Sequence, residues 1–353
     1  MERIPGSIGQ FGVGMKRALF SFGKKYSVES ATDKDWFRLN INLKTWMEDK
    51  DSWDFEIEDY GENTGQKEVG TRIEVTDLFD DAANQFGLEF FRTRVENEIR
   101  EKHGYFIAQG LAVRVCGTTI PSHQWQLIAD DQFQPEYIEK SYNGSGKAPV
   151  HTRIYAGVGR SNPSDAGWYV ICNGRLVLSA EKTNKTGWGW SSDSEMDAAS
   201  GTPRYHNQFA RFRGYVLFDS DDAGRLPWNT TKTDIDSDDT IWLDARDTMA
   251  TVMRPVIDFL NLVDNESDLP ENERPLTAAL LAAKPRAIAE VRTQQKFSFP
   301  ASPRKPRPKT VTIQFRKEKQ RVTDLQEAMG TTSARNTGDA AFEEAYSRYV
   351  GDE

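Results

Sequence analysis

Three glycines ahead of a helix-like stretch set the first constraint on this chain. Gly9, Gly12 and Gly14 lie in Ile8–Gly14 (IGQFGVG), and Met15–Phe22 follows with helical spacing. Gly23 supplies a stop, and Lys24–Ser30 reads as a strand with Tyr26 and Val28 on one face. A glycine-rich loop that opens a helix leaves several backbone N–H groups without intrahelical acceptors, and the helix dipole adds to their field. Such a convergence suits a phosphate. Glycine is needed because a Cβ would hold the ligand off the backbone. The same spacing also serves as a plain turn before a helix, so by itself it leaves both readings open.

The chain has 353 residues, room for two or three domains with cores of their own. With 37% hydrophobic and 28% charged residues, it has the composition of soluble globular protein. No apolar run approaches ~18 residues, so no membrane span or membrane partner is expected. The opening MERIPGSIGQF lacks a charged-then-apolar signal pattern, and a cytoplasmic location is expected. A net charge of −9 argues against generic polyanion binding over the whole surface. Cys116 and Cys172 are too few to build a metal site alone. Both stand in strand-like apolar contexts and read as buried, reduced thiols.

Along the chain, Trp36–Leu43 alternates as a strand with Phe37, Leu39, Ile41 and Leu43 on one face, and Trp46–Ile57 reads as a loop and another strand. Asp59–Lys67 is a turn region, Gly70–Phe79 a strand, and Glu89–Lys102 a helix with Phe90, Phe91, Val95 and Ile99 as its buried stripe. Leu111–Ile120 reads as a strand with a turn at Gly117, joining Trp36–Leu43 and Gly70–Phe79 in one sheet. A second domain begins near Trp125. Gly144-x-Gly146-Lys147 approximates the end of a P-loop, but Ser141 and Ala148 depart from it, so it reads as a flexible loop. His151–Val158 and Phe212–Asp219 are strands, and Trp168–Ser179 is a hairpin about Asn173-Gly174. Asp239–Asp264 is a long helix that Pro255 should kink. His206 has no second His or Cys nearby and reads as a structural hydrogen-bonding group.

Taken letter by letter, GQFGVG followed by a helix and YSVES resembles the ATP-lid end of the GHKL (Bergerat-fold) ATPases. That family includes the ninety-kilodalton heat-shock chaperones, the MutL mismatch-repair proteins, the gyrase B subunit and the MORC proteins. The resemblance implies that the N–H groups of Gly9, Gln10, Phe11, Gly12, Val13 and Gly14 bind ATP phosphates. GTRIEVTDLF, Gly70–Phe79, resembles the GT-containing strand of the family in its MutL wording, which implies that Thr71 lies near the nucleotide. A β-forming residue at a strand start accounts for Thr71 equally well. WYVICNGRLVLS resembles the VNGR hairpin in the second domain of MutL. In LPWNTTKTDID, Leu226–Asp236, the family places a lysine that reaches the γ-phosphate, which makes Lys232 the candidate catalytic residue and sensor. The alternative for Lys232 is a solvated loop lysine.

The resemblance further implies ATP with Mg²⁺ as cofactor. In the family an upstream helix carries a Glu that activates water and an Asn that holds Mg²⁺, and an Asp-x-Gly-x-Gly motif reads adenine. No Asp here is followed by Gly at +2 and +4, and the single Glu-x-x-x-Asn, Glu139–Asn143, falls in loop-like EKSYNGSGK. The expectation is the downstream part of a longer protein or a late start, without the catalytic Glu, the Mg²⁺ ligand or the N-terminal part of the ATP site.

Residues 265–310 read as a linker, acidic first and then Pro-rich and basic. From Lys296 to Arg321 there are nine Lys/Arg against one acid, Glu318. Val311, Ile313 and Phe315 then alternate with Thr312, Gln314 and Arg316. Helices follow with Val322, Leu325 and Met329, and with Phe342, Ala345, Tyr346 and Tyr349. This strand–helix–helix order resembles a ribbon-helix-helix module, which implies a homodimer whose Thr312, Gln314 and Arg316 read a DNA major groove. The alternative is a tail that pairs proteins or packs on its own body.

The expected fold is α+β: a partial Bergerat sandwich over 1–125, a ribosomal-S5-like transducer domain over 126–264, a linker over 265–310 and the small tail over 311–353. The expected function is that of an ATP-binding, nucleotide-gated switch whose ATP hydrolysis is slow or absent. The alternative is a non-hydrolysing interaction or DNA-binding protein acting through the tail. No residue names the protein client.

Overall fold

The computed structural model describes residues 8–9, 14–48, 55, 57, 59–122, 125–190, 201–301, 313 and 316–351. It divides into two units, Met1–Ser302 and Pro303–Glu353. The fold mixes helix and sheet in an α+β arrangement, as expected. Among the described residues no helix is long and apolar enough to cross a membrane.

In the first unit, α1 (Gly14–Phe22) runs directly into β1 (Gly23–Ala31), followed by β2 (Asp35–Asn42), α2 (Leu43–Glu48), β3 (Asp59–Glu62) and β4 (Gly70–Leu78). The strands form an antiparallel sheet in the order β3-β2-β1-β4. Because strand side chains alternate, register decides which residues share a face. Tyr26 aligns with Ile41 and Val75, and Val28 with Leu39 and Ile73. Leu19 and Phe20 of α1 and Trp46 of α2 cover this apolar face. The opposite face aligns Ser27 with Asn40 and Glu74, and Glu29 with Arg38 and Arg72. There Arg38 Nε donates to Glu29 at 2.8 Å and Lys67 Nζ at 3.2 Å, a polar ladder suited to water. The segment from Trp46 departs from the expected loop and strand. It begins inside a helix because the Trp46 ring stacks between Phe20 and Phe55, at 5.8 and 5.3 Å.

Next come α3 (Asp80–Phe86), α4 (Glu89–Lys102), α5 (Gly104–Ala108), β5 (Arg114–Val115) and β6 (Thr118–Thr119). Helix α4 has the expected bounds, but its Phe90–Ile99 stripe is not buried: no α4 residue is, and Phe90 is 71% exposed. Leu111–Ile120 does not join the four-stranded sheet. It makes a separate two-stranded ribbon that turns at Cys116 (φ 49°) and Gly117 (φ 82°). A hairpin tip of that hand points its side chains outward, so Cys116 is exposed rather than buried.

The main body adds β7 (Gln126–Ile128), β8 (Glu136–Gly144), β9 (Lys147–Val158), β10 (Gly167–Cys172), β11 (Arg175–Glu181), β12 (Phe212–Asp219) and α6 (Thr240–Asp264). Five strands order as β11-β10-β12-β9-β8, with β10 and β12 parallel and the other neighbours antiparallel. Every residue of β10 is buried, because both faces are covered. Ile154, Val170, Val216 and Phe218 pack with Trp242, Met249, Met253 and Val256 of α6. The second cluster is tyrosine-rich: Tyr137, Tyr155, Tyr169 and Tyr215 gather with Trp125, and Tyr137 and Tyr155 stack at 4.4 Å. Gly214 is required at the centre, since a Cβ there would lie 2.2 Å from Trp168 Cε3. Asp239 caps α6 by accepting from the Ile241 and Trp242 N–H groups, at 2.8 and 3.0 Å. Pro255 sits inside a helix that continues on both sides of it. Cys172 is fully buried, as expected, and burial pushes its thiol pKa up. The Gly144–Lys147 segment is a tight hairpin turn rather than a flexible loop, since β8 and β9 stay paired up to Gly144 and Lys147.

Residues 265–301 are not a linker. They contain α7 (Pro275–Ala282) and β13 (Pro285–Ala287), and β13 pairs with β7. The Glu266 carboxylate accepts from the Leu276 and Thr277 N–H groups at the start of α7, at 3.0 and 2.8 Å. Leu276 and Leu280 are each 2% exposed within the main core. In the second unit, α8 (Lys319–Met329) and α9 (Ala334–Tyr349) meet through left-handed Gly330 (φ 63°). The strand expected before them falls largely outside the described residues, and no strand is assigned at Ile313 or Arg316. Leu325, Phe342, Tyr346 and Tyr349 are exposed.

The packing of α7 predicts that Leu276→Ala lowers unfolding free energy by ~2–5 kcal/mol in a urea titration. A linker residue would leave the midpoint unchanged.

Candidate functional site

The segment between β12 and α6 is a closed loop built by its own hydrogen bonds. Trp228 bridges to Ile235, and its indole N–H donates to Ala223 O at 3.0 Å. Asn229 N–H donates to Asp234 O at 2.8 Å, and Lys232 N–H to Asn229 O at 3.0 Å. Lys185 Nζ meets Asp234 Oδ1 at 2.8 Å and ties the loop to the main body. This closure holds Lys232 in the left-handed region at φ 57°. Its ammonium lies 5.2 Å from the Trp228 ring centroid and donates to the backbone carbonyl of Ile8, where the glycine-rich segment begins.

A second element reaches the same corner. The β10–β11 hairpin turns at Asn173 (φ 44°) and Gly174 (φ 74°), the backbone its Asn-Gly pair favours. Asn173 locks this turn to the end of β12: its Nδ2 donates to Ser220 O and its Oδ1 accepts from Ser220 N–H, both at 2.9 Å. A Cβ on Gly174 would lie 2.7 Å from Phe106 and from Tyr105, so only glycine lets α5 sit on the turn. Arg175 follows directly, and its Nε donates to Lys232 O at 3.2 Å.

The corner carries charge of one sign. Among the described residues neither Lys232 nor Arg175 forms an ion pair with a carboxylate. Burial first, and then the Arg175 charge, lower the Lys232 pKa. Burial, Arg175 and Lys102 lower that of His103 in the same way. An arriving anion would offset the repulsion, so the chemistry offered is anion binding. Arg153 differs: it lines a cavity of about 730 Å³ on the tyrosine-rich side, but Asp219 at 2.6 Å already takes its charge.

Of the residues expected from the sequence, Lys232 and the start of the glycine segment are thus brought together. Gly9 is exposed, Gly14 opens α1, and a Cβ on either would have nothing within 4 Å. Gln10, Phe11, Gly12 and Val13 lie outside the described residues, as do Thr312 and Gln314. Thr71 is the second residue of the edge strand β4, where its hydroxyl is 2.8 Å from that of Ser30. Arg316 is exposed. His206 accepts weakly from Gln208 N–H at 3.4 Å, a local backbone role. Sequence reasoning missed Arg175, although its place directly after the Asn-Gly turn was the available signal. Among the described residues no three His, Cys, Asp or Glu side chains converge. The described side chains of the corner, Lys232 and Arg175, are cations and do not fit Mg²⁺, and no step is assigned to it.

No protein-family model matches the chain. An alanine racemase from Frankia casuarinae is 26% identical over 128 residues, 31% of this chain and 33% of that protein. The chain thus spans about a third of that relative's length. Among solved structures, the B subunit of DNA gyrase from Myxococcus xanthus is similar with a TM-score of 0.37 and 15% identity, over 76% of this chain and 72% of that one. A topoisomerase IV ATP-binding domain from Francisella tularensis gives a TM-score of 0.33 and 14% identity, over 69% and 68%. Superpositions of that quality leave function to the chain's own residues.

The loop's ion pair sets a pH dependence. Burial works to raise the Asp234 pKa, but Lys185 and the Ile235 N–H outweigh it and hold it below the ordinary 3.8. A depressed carboxylate contributes stability above its unfolded pKa and loses it as pH falls through the folded one. Asp234→Asn should therefore cost ~0.2–1 kcal/mol near neutrality, the size of a partly exposed pair. The gap to the unmodified protein should close below about pH 4 in acid unfolding followed by circular dichroism.

Proposed function

We propose that this chain is a GHKL-type ATP-binding protein in which Lys232 reports whether a γ-phosphate is present. The observation that supports this most is the Lys232 ammonium held on the Ile8 carbonyl, two positions 224 residues apart in sequence. A carbonyl oxygen is a weaker partner for an ammonium than a phosphate oxygen. Phosphate binding would draw Lys232 from the first to the second and release its tie to the glycine segment. That exchange links the nucleotide to the relative placement of a 1–125 domain and a 126–264 domain, which is the working of a nucleotide-gated switch. Bound ATP with Mg²⁺ would supply the polyphosphate charge, while the chain supplies N–H groups and cations to orient it. With no Glu or Asn in the family's helical context and no Asp-x-Gly-x-Gly motif, hydrolysis by this chain is slow or absent.

A second reading, an interaction role for the tail, is favoured by the exposed Leu325, Phe342 and Tyr349. These suit a second copy of the chain, with DNA held by the basic run as the further possibility implied by the ribbon-helix-helix resemblance.

Calorimetric titration of full-length protein tests the main reading. ATP should bind, and Lys232→Ala should weaken it ~10-fold, the scale of one charge-assisted hydrogen bond partly offset by water. Absence of ATP binding, or binding indifferent to Lys232→Ala, would refute it. Rapid Mg²⁺-dependent turnover would refute the claim of slow hydrolysis.

A further inference from the structure

The tyrosine-rich side of the five-stranded sheet holds a cavity of about 730 Å³, walled by α5, β7 and residues 285–292. We infer that it is a second ligand site, separate from the Lys232 corner, and that it takes a nucleoside monophosphate whose base carries an amino group. Size sets the first limit. Pockets of ~300–1,000 Å³ enclose drug-sized molecules, and an inorganic anion or a free amino acid would leave most of this one to water. The floor is set by strand register: Tyr137 aligns with Tyr155, and Glu139 with Arg153. Tyr137 and Tyr155 stack at 4.4 Å and 6°, and Tyr105 stacks on Trp125 at 5.9 Å in the wall. An aromatic lining of this kind accepts a planar base whatever its sequence identity.

Charge sets the second limit. Burial is the largest cause that raises the pKa of Tyr137 and of Tyr155, so both hydroxyls stay neutral. Arg153 is spent on Asp219 at 2.6 Å. Glu139 accepts from the Tyr137 hydroxyl and forms no ion pair among the described residues. An ionised carboxylate can only accept, so it favours an N–H donor and repels a carbonyl. The 285–292 wall carries the other sign. Arg286 and Arg292 are exposed and form no ion pair among the described residues, against one acid of that wall, Glu290. Arg292 Nε reaches the Ala289 carbonyl at 3.4 Å, which leaves its planar fork for two oxygens of a phosphate. A cationic ligand would satisfy Glu139 but meet both arginines. An aromatic acid without donors would satisfy the arginines but set an acceptor against Glu139. A base with an amino group, joined through a sugar to a phosphate, answers all three surfaces.

CMP and UMP test this, because one offers an amino group where the other offers a carbonyl. Calorimetric titration of the full chain should show CMP binding ~10-fold tighter than UMP, the scale of one hydrogen bond to a charged group. Glu139→Gln should bring the two within ~2-fold, since an amide both donates and accepts. Arg286→Ala should weaken both alike by ~10-fold, as should removal of the phosphate with cytidine as the probe. Lys232→Ala should leave CMP binding unchanged. Should Glu139→Gln not fold, Arg286→Ala at its exposed position carries the comparison. A CMP Kd above ~1 mM, equal binding of CMP and UMP by the unmodified protein, or loss of CMP binding in Lys232→Ala overturns the inference. Each of these results leaves the ATP reading at Lys232 to its own titration.

Discussion

Burial of α6 against the five-stranded sheet is the interaction on which the rest depends. Trp242, Met249, Met253, Val256 and Leu260 are each at most 1% exposed, and side chains of that size contribute ~1.5–3 kcal/mol apiece when fully buried. The contact requires a sheet surface that admits a large ring, and Gly214 provides it by giving Trp168 the space of a missing Cβ. The loop carrying Lys232 leaves this assembly at β12 and returns to it at α6, so both of its ends are anchored in the best-packed part of the molecule. A loop with such short, fixed ends can hold a residue at positive φ that a longer one would release.

The four-stranded sheet solves a different problem. Its apolar side takes two short helices, while Glu29, Arg38, Arg72 and Glu74 give the other side a surface that water satisfies. The edge strand β4 places Arg72 and Glu74 along its length, and charges of that kind discourage further strand pairing.

Legibility in the sequence followed how local each determinant was. The α1–β1 junction, the Asn173-Gly174 turn and the bounds of α4, β12 and α6 depend on neighbouring residues, and the sequence carries them plainly. Residues 265–301 failed because composition was averaged across 265–310. The apolar run LTAALLAA was outweighed by its acidic and Pro-rich flanks, although it holds Leu276 and Leu280 in the core. The α4 stripe failed because periodicity says which side chains share a face, not whether anything covers it. Cys116 failed because its apolar neighbours were weighed above the turn read at Gly117, of which Cys116 is itself part. At the candidate site, Lys232 was legible only through resemblance to a family motif. Arg175 was legible only as the residue after an Asn-Gly turn, since its contact is with a carbonyl 57 positions away in the chain.

The turn that delivers Arg175 has a consequence for the chemical lifetime of the protein. An asparagine followed by glycine is the pair most prone to deamidation, because the next backbone nitrogen can attack the side-chain amide when both are free to rotate. In Asn173 the amide is engaged at both ends by Ser220, the residue is 6% exposed, and Gly174 is pressed between aromatic rings. Rotation toward ring closure would have to break both hydrogen bonds and displace α5. The folded chain therefore shields this Asn-Gly pair, unlike Asn143-Gly144, whose asparagine is exposed, and the damage clock at position 173 runs on unfolding rather than on time in solution.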